Sequence, residues 1–232
     1  MKLLIYTAVW KRPEITEICF MGLKRLGYPA LAVISEVDMI PLCEKYGVQW
    51  VMHENHPLGE KKNAGLERAR EMDFDFLIEI GSDDLILNEL INQYKRFFVK
   101  YDFFGVCDAA YINSETLECR REQSETPYGA GRAISKRALE LMDYELWPKA
   151  NRGLDKHSLN KLYNKGIKYW QIPPIDYPLV IDIKGPVNLW KFNRSKGVKY
   201  DINEIFLRIS PEEVNAIKCL RQVYKSESLI ER

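Results

Sequence analysis

Apolar residues fall in short continuous runs through the first third of the chain, and a stretch with helical spacing follows each run. Leu3–Thr7 is such a run, suited to a strand covered on both faces. Pro13 fits the first turn of a helix, where its missing N–H costs little. Ile15, Ile18, Cys19, Gly22, Leu23 and Leu26 then recur at helical spacing, and Gly27 supplies the stop. Ala30–Ser35 reads as a second strand. A poorer helix, interrupted by Pro41, leads to Gly47, and Val48–Met52 is a third strand. Gly59 to Met72 is the next helical segment, and Phe74–Ile80 is a buried strand that stops abruptly at Gly81-Ser82-Asp83-Asp84. Strands and helices in this rhythm predict parallel strands joined by right-handed crossovers. Ligands bind outside the carboxyl ends of such strands, so the loops starting at Thr7, Ser35, His53 and Gly81 are expected to share one crevice.

The second half is less regular. Phe103–Tyr111 and Leu117–Arg121 read as two strands joined by the polar turn Asn113-Ser114-Glu115. Gly129–Ile134 reads as a strand entering a helix over Lys136–Met142, and Gly153–Asn164 as a further helix. Tyr169–Ile172 and Leu179–Ile183 are strand candidates, after which Gly185-Pro186 breaks the chain. Ser210-Pro211-Glu212-Glu213 has the form of a capping box with proline at the first helical position. The helix it opens carries Val214, Ile217, Leu220 and Val223 on one face. No repeat, low-complexity stretch or linker divides the chain. The economical reading is one α/β domain over residues 1–200, with a C-terminal helical extension over 201–232 packed on it.

Composition narrows the class of function. At 232 residues and 46% hydrophobic, the chain suffices for one sizeable core. Its 34 basic and 33 acidic residues nearly cancel, so no bulk field draws in nucleic acid or an anionic membrane. The five cysteines have no C-x-x-C pair, which reads as scattered thiols in a reducing cytoplasm. The apolar run Leu3 to Trp10 stops at Lys11-Arg12-Pro13, too short for a transmembrane span. A cytoplasmic protein is expected, and an oligomer is possible.

The strongest local signal for chemistry is the pair Asp83-Asp84 at the mouth of a buried strand. Carboxylates there suit a divalent cation such as Mn²⁺ or Mg²⁺, which takes oxygen ligands and bridges carboxylates to substrate phosphates. The competing role is an N-cap for the helix that follows through Leu87 and Leu90. Upstream, the basic pair in Gly59-Glu-Lys-Lys-Asn-Ala-Gly65 could meet a diphosphate near a helix start, with Asn63 hydrogen-bonding it. For Lys61 alone a solvated helical face is the favoured reading.

Taken in order, these segments resemble glycosyltransferase family 2. Lys62-Asn63-Ala64-Gly65 stands where that family has an Arg-Asn pair, and Gly81-Ser82-Asp83-Asp84 stands at its D-x-D motif. Ile5 to Pro13 looks like the family's first strand and turn. Tyr128 to Leu139 is similar to the segment shaping the donor-sugar pocket, which includes Gly131 and Arg132. Gly153-Leu-Asp155 looks like the start of the helix bearing the catalytic carboxylate. The resemblance covers residues 1–165 and implies a GT-A-type, Rossmann-like three-layer α/β sandwich with a mostly parallel central sheet. It implies an inverting hexosyltransferase that moves a sugar from a nucleotide-sugar donor to a hydroxyl acceptor, with a glycan as the expected acceptor. By position, Asp83 is the metal ligand and Asp84 supports it or reaches the sugar. Thr7, Val9, Glu36 and Lys62 line the nucleoside side, and Asp155 is the general base. Three departures stand out. Gly81 replaces the first D-x-D aspartate, Ser35-Glu36-Val37-Asp38 replaces an acidic loop, and no histidine lies in the C-terminal third. Asp182 could supply the missing metal ligand, or simply pair with Lys184.

Other residues carry weaker signals. His53-x-x-His56 has metal-pair spacing but no third ligand nearby, and His157 reads as a surface helix position. Trp10 and Trp190 adjoin crevice loops and are candidates to stack on sugars, whereas Trp147 and Trp170 read as core. Arg120, Arg121 and Arg132 read first as exposed arginines and second as phosphate or acceptor contacts. Two other functions fit the pattern less well. A sugar-phosphate nucleotidyltransferase wants a glycine-rich loop after the first strand, and Thr7 to Pro13 has no glycine. A non-catalytic nucleotide- or glycan-binding protein would account for Gly81.

Overall fold

A computed structural model describes residues 1–186 and 191–230, the last six as helix backbone only. The elements β1 (Leu3–Ala8), α1 (Pro13–Leu26), β2 (Ala30–Ile34), α2 (Ile40–Tyr46), β3 (Gln49–Met52), α3 (Leu58–Arg70) and β4 (Phe76–Gly81) alternate as the apolar pattern predicts. Next come β5 (Asp84–Ile86), α4 (Asn88–Tyr94), β6 (Phe103–Val106), β7 (Asp108–Asn113) and β8 (Cys119–Gln123). The chain continues through β9 (Arg132–Ser135), α5 (Lys136–Leu141), α6 (Leu154–Asn164), β10 (Trp170–Ile172), β11 (Val180–Lys184), β12 (Val198–Lys199), α7 (Ile202–Phe206) and α8 (Pro211–Ile230).

A seven-stranded sheet in the order β10-β6-β9-β4-β1-β2-β3 forms the centre. Its β1, β2, β3 and β4 pair in parallel, and β9 runs antiparallel between β4 and β6. Successive residues of β1 face opposite layers, as the strand period requires. Leu3 and Ile5 pack with Phe20 and Leu23 of α1, while Leu4 and Tyr6 pack with Leu66 and Ala69 of α3. This is the expected three-layer, Rossmann-like α/β fold. Gly65 lets α3 lie close on the sheet: a Cβ there would stand 2.2 Å from Val33 Cγ2 and 2.6 Å from the Tyr6 ring.

Two segments differ from the sequence reading. Phe103–Tyr111 is not one strand: the chain changes sheets at Cys107, leaving β6 in the first sheet and β7 in a second. This five-stranded sheet has the order β12-β8-β7-β11-β5. The acidic segment is also not wholly a loop, because only Ser82 and Asp83 turn and Asp84 opens β5. Apolar runs specify burial but not which sheet receives them, so neither change was visible in the pattern.

A third cluster joins the second sheet to the other side of α1 and to the C-terminal helices. Ile15 and Ile18 of α1 meet Ile112, Ile181 and Ile183 of the sheet, and Ile217 and Leu220 of α8 close over them. The predicted capping box is present at the start of α8. Glu213 N–H donates to Ser210 Oγ at 3.2 Å, and Ser210 N–H donates to Glu213 Oε2 at 2.6 Å. Glu213 is fully buried and also receives Arg25 Nε, at 3.0 and 3.1 Å from its two oxygens. One carboxylate thus caps α8 and ties it to α1. Glu213→Ala is expected to cost about 3 kcal/mol, because it removes the cap and strands a mostly buried guanidinium. Urea unfolding reads this directly, and a loss below about 0.5 kcal/mol, the level of a neutral surface substitution, would rule the tie out.

Candidate functional site

A cavity of about 600 Å³ opens at the carboxyl ends of β1 and β4, where the two sheets meet. Trp10 and Arg12 reach it from the loop after β1, and Lys62 reaches it from the first turns of α3. Residues 79–84 form its back, Tyr111 and Tyr128 an aromatic wall, and Asp155 of α6 stands at its edge.

On one side of the cavity, oxygens of Asp83, Asp84 and Asp182 all lie within 4.8 Å of one another. The tight turn after β4 and the β5–β11 pairing create this cluster, since Asp84 and Asp182 are direct partners in antiparallel register. Like charges directly opposite each other repel. Two cations compensate. Arg12 Nη1 lies 2.9 Å from Asp83 Oδ2, and Lys184 Nζ lies 2.5 Å from Asp182 Oδ2 and 3.9 Å from Asp83 Oδ2. Arg12 and its neighbour Lys11 both adopt left-handed backbone, at φ 57° and 55°. Non-glycine residues pay about 1 kcal/mol or more for this conformation, which here aims the guanidinium into the cavity.

Three carboxylates against two cations leave the cluster short of positive charge. Burial pushes the Asp83 carboxyl up, but Arg12 and Lys184 outweigh it and hold the group below the usual range. Asp84 is driven well above that range by burial and by Asp182 and Asp83. Asp182 is raised to about 6 by burial and Asp83, with Lys184 opposing. Asp182 Oδ1 is buried without a hydrogen-bond partner. An all-oxygen set with an orphaned carboxylate oxygen fits a divalent cation such as Mg²⁺ or Mn²⁺.

Opposite the triad, the floor of the cavity is a chain of alternating charge. Lys62 Nζ pairs with Glu79 Oε1 and lies 4.2 Å from the centre of the Trp147 ring. Glu79 faces Arg132 across the β4–β9 pairing, with Arg132 Nη1 3.8 Å from Glu79 Oε2. Arg132 Nη2 is 3.4 Å from Asp155 Oδ1, and its Nη1 donates to Ser158 Oγ at 2.6 Å. Asp155 is the open end of this chain, its side chain 60% exposed.

Lys62, Asp83, Asp84, Asp155 and Asp182 therefore line a single cavity. Other predicted site residues lie behind its walls. Thr7 and Val9 are buried under the end of β1, and Glu36 accepts Lys11 N–H at 3.4 Å without lining the cavity. Asn63 spends its amide on a neighbouring loop, donating to the Trp147 carbonyl at 2.7 Å and accepting Leu146 and Trp147 N–H at 3.0 Å. The Gly131 carbonyl accepts the Tyr94 hydroxyl. Arg132 is fully buried, so it is not the exposed arginine of the sequence reading. Arg121 is bound to Asp108, and Arg120 to Glu118 and the Ser195 carbonyl.

Lys61 is a second correction. Its side chain is fully buried, not solvated, and its Nζ donates to the Val9 carbonyl, to Ser35 Oγ at 2.6 Å and to Asn55 Oδ1 at 3.3 Å. One ammonium thus pins the loops after β1, β2 and β3. Trp10 lines the cavity edge-on to His56, which meets Asn151 Oδ1 at 3.1 Å, and neither histidine of the His53–His56 pair joins a metal-ligating group among the described residues. Trp147 is core, but Trp170 is 43% exposed on edge strand β10 and stacks on Tyr101. Trp190 lies outside the described residues. Sequence reading passed over Arg12 and Glu79, and gave Lys184 only as a partner for Asp182, which it is. For Glu79 a signal existed, a lone carboxylate within the buried run Phe76-Leu-Ile-Glu-Ile80.

No protein-family model matches the sequence, and no curated protein matches it. Among solved structures the fold is similar to residues 1–349 of TarS from S. aureus, with a TM-score of 0.59 and 12% identity. That likeness covers 79% of this chain, which spans 60% of the TarS structure. Looser likenesses extend to the inositol-1-phosphate CTP transferase from T. maritima, at a TM-score of 0.49 and 13% identity over 95% of this chain and 96% of that one. A CMP:2-keto-3-deoxy-manno-octonic acid synthetase complexed with CTP scores 0.46 at 14% identity, over 76% and 93% of the two chains. At these identities the TarS likeness establishes the fold, a GT-A-like member of the Rossmann-like α/β class. No described helix is long and apolar enough to cross a membrane.

Burial lowers the Lys61 ammonium to about 8, with Glu36 opposing. Its unfolded counterpart titrates near 10.4. Between these values the unfolded chain holds the extra proton, so the Lys61 contribution to stability rises as pH climbs from about 8 to about 10. Lys61→Met is expected to flatten that rise in a pH series of urea melts. An unchanged slope would show that the ammonium titrates normally.

Proposed function

We propose that the chain is an inverting glycosyltransferase, moving a hexose from a nucleotide-sugar donor to a hydroxyl of an acceptor glycan. In this reading residues 1–200 form the transferase domain and 201–232 a helical extension. The carrying observation is one cavity with the compensated triad of Asp83, Asp84 and Asp182 on one side and the exposed carboxylate of Asp155 on the other.

The triad would hold Mn²⁺ or Mg²⁺, which supplies charge neutralisation for the departing nucleoside diphosphate. Arg12 and Lys184 stand beside the same carboxylates and add fixed positive charge where phosphate oxygens would lie. Trp10 at the mouth offers a ring face to a nucleobase or sugar. Asp155 takes the proton from the acceptor hydroxyl as that oxygen attacks the anomeric carbon. Direct displacement needs no enzyme nucleophile; Ser82 and His56 both line the cavity, but Ser82 accepts from Arg12 and His56 meets Asn151. Nucleotidyl transfer is the less favoured chemistry, because the loop from Val9 to Arg12 contains no glycine.

Thermal unfolding with UDP, GDP, CDP and their sugar esters, with and without Mn²⁺, tests the donor site. One nucleotide class is expected to raise the melting temperature in a Mn²⁺-dependent way, since a ligand bound only to the folded state stabilises it by mass action. Asp83→Ala should abolish the effect. No stabilisation by any donor at millimolar concentration would sink the transferase reading in favour of a binding protein for other ligands. Once a donor is found, Asp155→Asn should lower transfer or donor hydrolysis by roughly 10²–10⁴-fold, the usual worth of a general base. Donor affinity should stay unchanged, and full activity in that variant would remove Asp155 from the mechanism.

A further inference from the structure

Glu79 lies in the buried strand β4, between β1 and β9, where a carboxylate is costly unless something uses it. It is 2% exposed, lines the cavity floor, and is held on both sides by cations. Its hydrogen bonds are incomplete. Oε1 receives Lys62, whereas Oε2 is buried without a hydrogen-bond partner. Arg132 Nη2 is likewise buried and lacks one, although the residue is fully enclosed. Of the two residues only Glu79 lines the cavity, so the floor wants a donor for Glu79 Oε2. A sugar hydroxyl can supply it, as a water can.

Arg132 also locates this demand. Its two terminal nitrogens reach Glu79 at 3.8 Å and Asp155 at 3.4 Å, so one guanidinium spans both carboxylates. Glu79 thus lies next to the residue assigned to the acceptor proton, on the reacting-sugar side of the cavity. Lys62, Glu79 and Asp155 line the cavity, whereas Arg132 lies behind it. A uronate there would meet two carboxylates that can only accept hydrogen bonds against one cavity-lining cation of the floor, a cost that a neutral ring does not carry.

We infer that Glu79 reads the donor sugar, accepting a hydrogen bond from one of its ring hydroxyls while Arg132 holds the carboxylate from behind, and that this floor selects neutral hexoses over uronic acids. The inference rests on the proposed nucleotide-sugar site and names its sugar-specific contact.

Calorimetric titration of wild type and Glu79→Gln with UDP, UDP-glucose and UDP-glucuronate, and with GDP and GDP-mannose, tests it. In the wild type one neutral nucleotide sugar should bind roughly tenfold more tightly than its nucleoside diphosphate, the worth of a hydrogen bond to a charged group. UDP-glucuronate should gain nothing over UDP. In Glu79→Gln the sugar increment should vanish while nucleoside diphosphate affinity holds. A purely structural role would weaken both ligands together, and a floor that holds only water would leave the increment intact. Either result overturns the inference, as does tighter binding of the uronate. Should Glu79→Gln fail to fold, the wild-type comparison of UDP-glucose with UDP-glucuronate still decides it. Nucleoside diphosphate binding without any sugar increment defeats this inference alone, whereas no nucleotide binding at all defeats the donor-site reading with it.

Discussion

Two carboxylates, Asp84 buried and Asp182 half-buried, face each other across the β5–β11 pairing, and the rest of the site is arranged around that repulsion. Asp84 and Asp182 are held there by backbone hydrogen bonds between strands, so they cannot simply move apart. Asp83 joins them from the turn. The fold answers with Arg12, brought in by two left-handed residues, and Lys184, two positions along from Asp182 on β11. Buried charges persist only when paired. Three acids against two bases leave the cluster short of positive charge, and Asp84 and Asp182 are held above the usual carboxylate range.

The opposite wall uses charge differently. Lys62, Glu79, Arg132 and Asp155 alternate in sign along one chain of ion pairs. Lys61, next to Lys62 in sequence, turns inward and spends its ammonium on three strand-end loops. Adjacent helix positions point about 100° apart, which lets one lysine serve the loops and the other the cavity. Gly65, one turn further along α3, brings that helix close enough to the sheet for both lysines to reach.

Much of this was legible in the sequence where the information is local. The alternation of strand and helix through Gly81 follows from runs and spacings that each element carries by itself. Glycine stops, the first-turn proline and the Ser210–Glu213 capping box mark element ends for the same reason. Asp83 stood out because it follows a strand whose type was readable, whereas Asp155 was singled out only through a family resemblance. The resemblance of residues 1–165 to glycosyltransferase family 2 added roles to them, and the TarS likeness bears on the fold alone.

What only the tertiary structure decided depends on pairing between distant segments. Asp182 meets Asp84 through antiparallel register, Glu79 meets Arg132 across β4 and β9, and Glu213 reaches Arg25 by the docking of α8. Lys61 becomes buried because three loops close over it, which helical periodicity cannot report. The division of Phe103–Asn113 between two sheets is of the same kind. A sequence states which residues tolerate burial and where elements begin and end. Which charge ends up beside which is set by strand register and helix docking, and those are settled by the packing of the whole core.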